Sequence, residues 1–227
     1  MISHEKKFIF VHIPRTGGTA LSKFLRPYCD EESLDFSPFP GEDANLHATI
    51  REYIAEYGRD ILEEYTIFSI ARNPWERALS HSIHHNDGKF DREKFREHVF
   101  RPHENGYWPH SHFHFFIPFS VGKMPDGREA LPLSYPAQHT MAAVRDLRQH
   151  IFFPHFIRFE NYASDISKLF DKLGIEHSME DLRRKSNYTS HKHYSHYYQD
   201  DEIKEIRNVC GFDLQIFGYT FEDRREK

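Results

Sequence analysis

The chain is poor in cysteine, with only Cys29 and Cys210 in 227 residues. Two thiols so far apart do not make the disulfide framework of a small secreted scaffold, and neither has metal-ligand spacing. Long apolar runs are missing too, since no stretch approaches the roughly 20 residues that cross a bilayer. The N-terminus lacks the charged-then-apolar order of a secretory signal. Positive charge is not in excess: 30 Lys and Arg face 35 Asp and Glu, for a formal net charge of −5. A general nucleic-acid or membrane-surface binder needs a basic face, so neither is the expected partner. Low-complexity linkers and internal repeats are also lacking, and residues 1–227 read as a single domain large enough to bury a substantial core.

What is present concentrates at two places. The run from Phe8 to Ala20, FIFVHIPRTGGTA, reads as a buried strand that turns through paired glycines into a helix. Such a turn leaves the first helical N–H groups aimed at one point, where the helix dipole favours an anion. The loop is not a Walker A sequence, because it lacks the leading Gly of GxxxxGK[ST] and sets Arg15 before the glycines in place of a Lys after them. A second run, Thr66 to Ser80, TIFSIARNPWERALS, repeats the strand-turn-helix grammar. Asn73 is suited to the N-cap and Pro74 to the first helical position. Arg72 then falls at a strand end and Ser80 about two turns down the helix, a separation one guanidinium spans around a shared anion.

The remaining pattern alternates strands and helices. Strands are expected over Phe8–Ile13, Tyr65–Ala71 and Ile151–Phe159, the last broken by Pro154. Helices are expected over Gly18–Leu25, from Leu46 to a stop at Gly58, from Pro74, near Asp91–Val99, over Pro136–Gln149, over Tyr162–Leu173 to a stop at Gly174, and over Glu202–Val209. Glu31–Asp43 reads as a surface loop, Phe217-Gly218-Tyr219 as a tail, and about 101–136, crowded with Pro, Gly, His and aromatics, as an irregular insertion. The fold class is α/β, three-layered, with a mostly parallel central sheet flanked by helices. Ligands in such sheets bind beyond the carboxyl ends of the strands, where both anion motifs lie.

Together HIPRTGGT and RNPWERALS resemble the sulfotransferases that use 3′-phosphoadenosine 5′-phosphosulfate (PAPS), in the branch of heparan-sulfate-type and bacterial carbohydrate enzymes. Leu46–Tyr53, Arg158–Tyr162 and Asp213–Phe221 resemble further segments of that family, so the likeness spans nearly the whole chain. It implies a P-loop-like sulfotransferase fold and a bacterial, cytoplasmic protein, since the animal Golgi members carry a membrane anchor. It also implies sulfuryl transfer to a hydroxyl-bearing acceptor, most plausibly a glycan, with 3′-phosphoadenosine 5′-phosphate (PAP) as the product and no metal required.

By that resemblance Arg15, Thr16, Gly17, Gly18, Thr19 and Ala20 hold the 5′-phosphosulfate, and Arg72 with Ser80 holds the 3′-phosphate. Arg15 stands where the family usually has Lys; it supplies a cation at the leaving oxygen but does not donate a proton near neutral pH. His47, in a Leu-His-Ala context, corresponds to the family's proposed base. Asn187, His191 and Lys192 lie in a late loop that in similar sequences folds toward the cofactor. Arg77 either supports the same site or forms an exposed helix ion pair. His12, inside its strand, reads as a core histidine, and Glu160 and Asn161 as capping or structural residues. His110, His112 and His114 alternate, as one face of a strand binding a metal requires, yet their aromatic neighbours favour an acceptor wall or a packed loop. The alternatives are a P-loop kinase or NTPase, disfavoured by the missing Walker lysine, and a nucleotide-binding protein without catalysis.

Overall fold

The computed structural model describes residues 1–30, 47–100, 112, 154–178, 180, 182 and 191–225. The expected helix Pro136–Gln149, the loop Glu31–Asp43 and nearly all of the 101–136 insertion lie outside these residues. Four described strands form one sheet in the order β1-β2-β3-β4. The two-residue β1 (Ile2–Ser3) runs antiparallel to β2 (Phe8–Phe10), while β2, β3 (Thr66–Ala71) and β4 (His155–Arg158) run parallel.

Strand β2 is shorter than its apolar run because a side chain takes over the ladder. Val11 still donates its N–H to Phe68 O (3.0 Å), but its carbonyl accepts from the Ser69 hydroxyl (2.6 Å). The chain then leaves the sheet through Pro14. Alternation along the strands splits the core into two faces. Phe8 and Phe10 join Phe68, Ile70 and Ile157 on one face, whereas Ile9 and Val11 join Ile67 and Ala71 on the other.

Helices cover both faces, which makes three layers. The phenylalanine face packs on α1 (Gly18–Leu25) through Leu21 and Leu25, and on α6 (Tyr162–Leu173) through Ile166, Leu169 and Phe170. The opposite face packs on α2 (Ile50–Tyr57), on α3 (Ile61–Glu64), and on Phe217 of α8 (Gly211–Phe217). A third apolar cluster joins α4 (Pro74–His84), α5 (Arg92–Phe100) and α7 (Asp200–Val209) around Trp75, Leu79, Phe95 and Ile206. The fully buried Glu202 of α7 binds Arg92 and Arg96 of α5, which ties those two helices together by charge.

Local chemistry sets the boundaries. Asn73 caps α4, its carboxamide oxygen accepting from the N–H groups of Trp75 (3.0 Å) and Glu76 (3.4 Å). Helix α2 starts at Ile50 and not at Leu46, because the Thr49 N–H donates to Glu52 Oε2 (2.5 Å) and closes the N-terminus there. Helices α2 and α6 end at Gly58 and Gly174 as expected. The C-terminal segment differs from the expected tail: Leu214 N–H bonds Cys210 O (2.9 Å) and Gly218 N–H bonds Leu214 O (2.8 Å), giving α8. Among the described residues no helix is long and apolar enough to cross a membrane.

Phe68 is fully buried, with ring centroids 5.7 and 5.1 Å from Phe8 and Phe10. Phe68→Ala is expected to lower unfolding free energy by about 3–5 kcal/mol, read from the shift in urea midpoint at unchanged m.

Candidate functional site

The carboxyl ends of β2, β3 and β4 lie side by side, so the turns that follow them share one edge of the sheet. After β2 the chain passes through Arg15 at φ +61° and Gly17 at φ +86°, both left-handed. Glycine takes that conformation freely; arginine does so at a cost, and must be held there by its surroundings. The Thr16 hydroxyl donates to Ile13 O (2.7 Å) and closes the turn from within.

Gly18 meets a different constraint. A Cβ on it would lie 2.2 Å from His12 Cδ2, so the imidazole occupies the space a side chain would need. Helix α1 therefore starts at Gly17 and Gly18 with no side-chain cap and no acidic residue in its first turn, and Thr19 is exposed. Its first N–H groups and the positive end of its dipole are left without a side-chain cap, an arrangement that favours an anion.

Three arginines converge on this turn. Arg72 Nη1 donates to Arg15 O (2.9 Å), and Arg77 Nε donates to Pro14 O (2.9 Å). Arg15 reaches to α4, where its Nε and Nη2 donate to Ser80 Oγ (3.3 and 3.2 Å). Ser80 thus pairs with Arg15, while Arg72 forms an ion pair with Glu76 (2.6 Å) and lies over the Phe159 ring (4.3 Å to the centroid). Burial, reinforced by the charge of Arg72, pushes the Arg15 guanidinium down to about 10, so it stays cationic at neutral pH. Arg77 is buried at 5% exposure, which excludes the exposed helix ion pair. Burial likewise pushes it down to about 10.

His47 lies beside this cradle. Its Nδ1 is 2.8 Å from His12 O, and its ring centroid is 4.5 Å from that of His12, whose ring fills the space at Gly18. A carbonyl oxygen only accepts, so Nδ1 carries a proton, and whenever the ring is neutral Nε2 is the nitrogen left to accept. His12 is buried as expected, its Nδ1 3.4 Å from the Ser22 hydroxyl. Burial first, then His47, the N-terminal amine and Arg15, holds it well below the usual imidazole range.

Of the late loop, His191 and Lys192 are among the described residues. His191 Nε2 is 3.6 Å from Glu76 Oε1, the carboxylate that pairs with Arg72. The exposed Lys192 donates its main-chain N–H to Tyr197 OH (3.2 Å). Asn187 lies outside the described residues, as do His110 and His114. Their neighbour His112 is fully buried with both ring nitrogens engaged, Nδ1 on Asp213 (2.6 Å) and Nε2 on the Arg72 N–H (3.1 Å). Among the described residues no group of three His, Cys, Asp or Glu could hold a metal. Glu160 accepts from Tyr219 OH (2.9 Å), and Asn161 precedes α6 without a side-chain cap bond.

Sequence reasoning missed Phe159, which lies against Gly17 as well as Arg72, and His85, whose basicity is depressed by burial and then by the charge of Arg15. The strand-end position of Phe159 was the available signal; His85 had none. The arrangement brings an uncapped helix start, the Arg15 guanidinium beside that of Arg72, and the His47 imidazole to one edge of the sheet.

A family model described as Sulfotransferase family matches residues 1–220. No curated protein and no solved structure matches the chain.

The buried histidines set the acid response. A folded-state value below the unfolded 6.5 means that the unfolded chain takes up protons first as pH falls. The stability is therefore complete above about pH 6.5 and is lost on descending below it. Urea unfolding measured from pH 7.5 to 5 is expected to show this decline, and His12→Asn should remove up to about 1.4 kcal/mol per pH unit of it.

Proposed function

The chain belongs to the sulfotransferase family, and on that premise we propose that it transfers a sulfuryl group from PAPS to a hydroxyl of a carbohydrate acceptor by in-line displacement. The observation that carries the reading is the joining of the two strand-end turns: Arg72 bonds the backbone of Arg15, and Arg15 extends over the start of an uncapped helix to Ser80. A donor with phosphate at both the 3′ and 5′ positions calls for two linked anion sites on one polypeptide edge, and these residues fit it. The absence of an acid and of a side-chain cap from the start of α1 supports the same fit.

The donor supplies a sulfuryl group bound through a bridging oxygen to its 5′-phosphate. In this reading the amides of Gly17, Gly18, Thr19 and Ala20, with Thr16 closing the turn, bind the 5′-phosphate. Arg15 leaves Ser80 to face the bridging oxygen. It stabilises the electron pair that stays there as the S–O bond breaks, an interaction stronger in the transition state than before it. His47 Nε2 takes the proton of the acceptor hydroxyl as its oxygen bonds to sulfur, while the His12 carbonyl holds Nδ1–H and keeps the ring in the required tautomer. Arg72 and Ser80 bind the 3′-phosphate, with Asn187 and Lys192 approaching from the late loop. Charge on the leaving group is met by arginine and amides, so this route calls for no metal. The 101–136 insertion is assigned to the acceptor side, where its aromatic residues suit a sugar face.

PAP at 100 times its dissociation constant should stabilise the protein by about 2.7 kcal/mol, seen as a rise in melting temperature that ATP with Mg²⁺ does not reproduce. Stabilisation by ATP with Mg²⁺ alone would overturn the donor assignment. Arg72→Ala is expected to weaken PAP far more than adenosine 5′-phosphate, and equal loss for both would remove the 3′-phosphate role. With labelled PAPS and a panel of glycans, Arg15→Ala should lower turnover by about 10²- to 10³-fold. His47→Ala should do so by about 10²- to 10⁴-fold with PAP affinity kept. Full turnover in either variant would sink that residue's role.

A further inference from the structure

We propose that His112 is a positioning residue for Arg72, locking the peptide group between Ala71 and Arg72 and so setting the direction in which the arginine leaves the sheet. The inference rests on the assignment of Arg72 to the 3′-phosphate of the donor. Ala71 is the last residue of β3, paired with Arg158 of β4, and the next amide lies past the end of the described ladder. The Arg72 N–H is taken instead by His112 Nε2 at 3.1 Å. His112 is itself fixed twice by one carboxylate: its main-chain N–H and its Nδ1 both lie 2.6 Å from Asp213 Oδ1, and both residues are fully buried.

Proton positions follow from the partners. A carboxylate accepts, so Nδ1–H donates to Asp213; an amide N–H donates, so Nε2 of a neutral ring accepts from Arg72. Burial outweighs the pull of Asp213 and keeps His112 below its ordinary value, in agreement with that tautomer. The other side of the same peptide is also held. The Ala71 carbonyl lies 3.3 Å from Tyr219 OH, whose proton is shared with the nearer Glu160 Oε2 at 2.9 Å. Asp213 and Tyr219 both come from the C-terminal segment, so His112 acts as the wedge between that segment and the end of β3.

The geometry separates this role from two others. With both nitrogens occupied, His112 is not available to ligate a metal. It also does not touch the anion cradle, since its contact is with the main chain of Arg72 while the guanidinium bonds Arg15 O and Glu76. In this reading its effect on ligand binding passes through the placement of Arg72.

The test is the ratio of affinities for PAP over adenosine 5′-phosphate, measured by calorimetry on the full chain, with melting temperature recorded for each variant. His112→Ala is expected to lower the ratio about tenfold through weaker PAP binding, with adenosine 5′-phosphate little changed. H112Q, whose carboxamide keeps an acceptor at the reach of Nε2, should retain the ratio within about twofold. Tyr219→Phe, on the half-buried side of the peptide, should lower it by a smaller factor and serves as the deciding variant if His112→Ala does not fold. A wild-type protein without preference for PAP removes the donor assignment and this inference with it. A wild-type preference that survives in His112→Ala, or in Tyr219→Phe where the former does not fold, overturns the inference alone, even if the variant melts lower. Loss in H112Q as large as in His112→Ala overturns the acceptor role of Nε2.

Discussion

Two hydrogen bonds from arginine side chains to main-chain carbonyls, Arg72 to Arg15 O and Arg77 to Pro14 O, hold the turn after β2 against the helix after β3. Guanidinium groups set this close repel one another, and the charge of Arg72 adds to burial in depressing the basicity of both Arg15 and Arg77. Carbonyl oxygens offset that repulsion without neutralising the cations, because they supply partial negative charge and leave the formal charge intact. Glu76 and Asp213 complete the compensation, the first on Arg72 and the second near Arg77. The left-handed backbone at Arg15 follows from the same constraint, since the carbonyl that Arg72 binds must point toward β3.

The core serves this arrangement by being rigid where the turns begin. Phe8, Phe10 and Phe68 stack on one face and Ile9, Val11 and Ile67 fill the other. The Ser69 hydroxyl on Val11 O adds a bond between β2 and β3 one residue before the chain departs. Strand ends fixed in register in this way let side chains 65 residues apart in sequence meet within hydrogen-bond distance, as Arg15 and Ser80 do.

Much of this was legible in the sequence, and the rest was not for identifiable reasons. The buried strands, the Asn73 cap, the glycine stops and both strand-end turns are local properties, written in runs of apolar residues and in cap chemistry. Partner choice is not local. The sequence suggests Arg72 and Ser80 around an anion, but that Arg15 reaches Ser80 and Arg72 reaches Glu76 is decided only by the relative placement of β2, β3 and α4. The extended alternation read at His110, His112 and His114 carried no hint that the middle ring would be buried on Asp213, a residue 101 positions later. Strand β1 escaped notice because two residues show no periodicity, and α8 because its buried positions, Asp213 and Phe217, mix charge with apolarity.

The interlock between His12 and Gly18 makes these two positions a single unit of variation. A side chain at 18 can enter only if the ring at 12 shrinks or turns away, and turning it away would disturb the neighbouring ring of His47, whose Nδ1 rests on the carbonyl of the same residue. Exchange at either site is thus epistatic with the other. Any redesign of the loop entrance must treat the strand residue and the helix residue as a linked pair, and a library that varies position 18 alone samples sequences the fold has already ruled out.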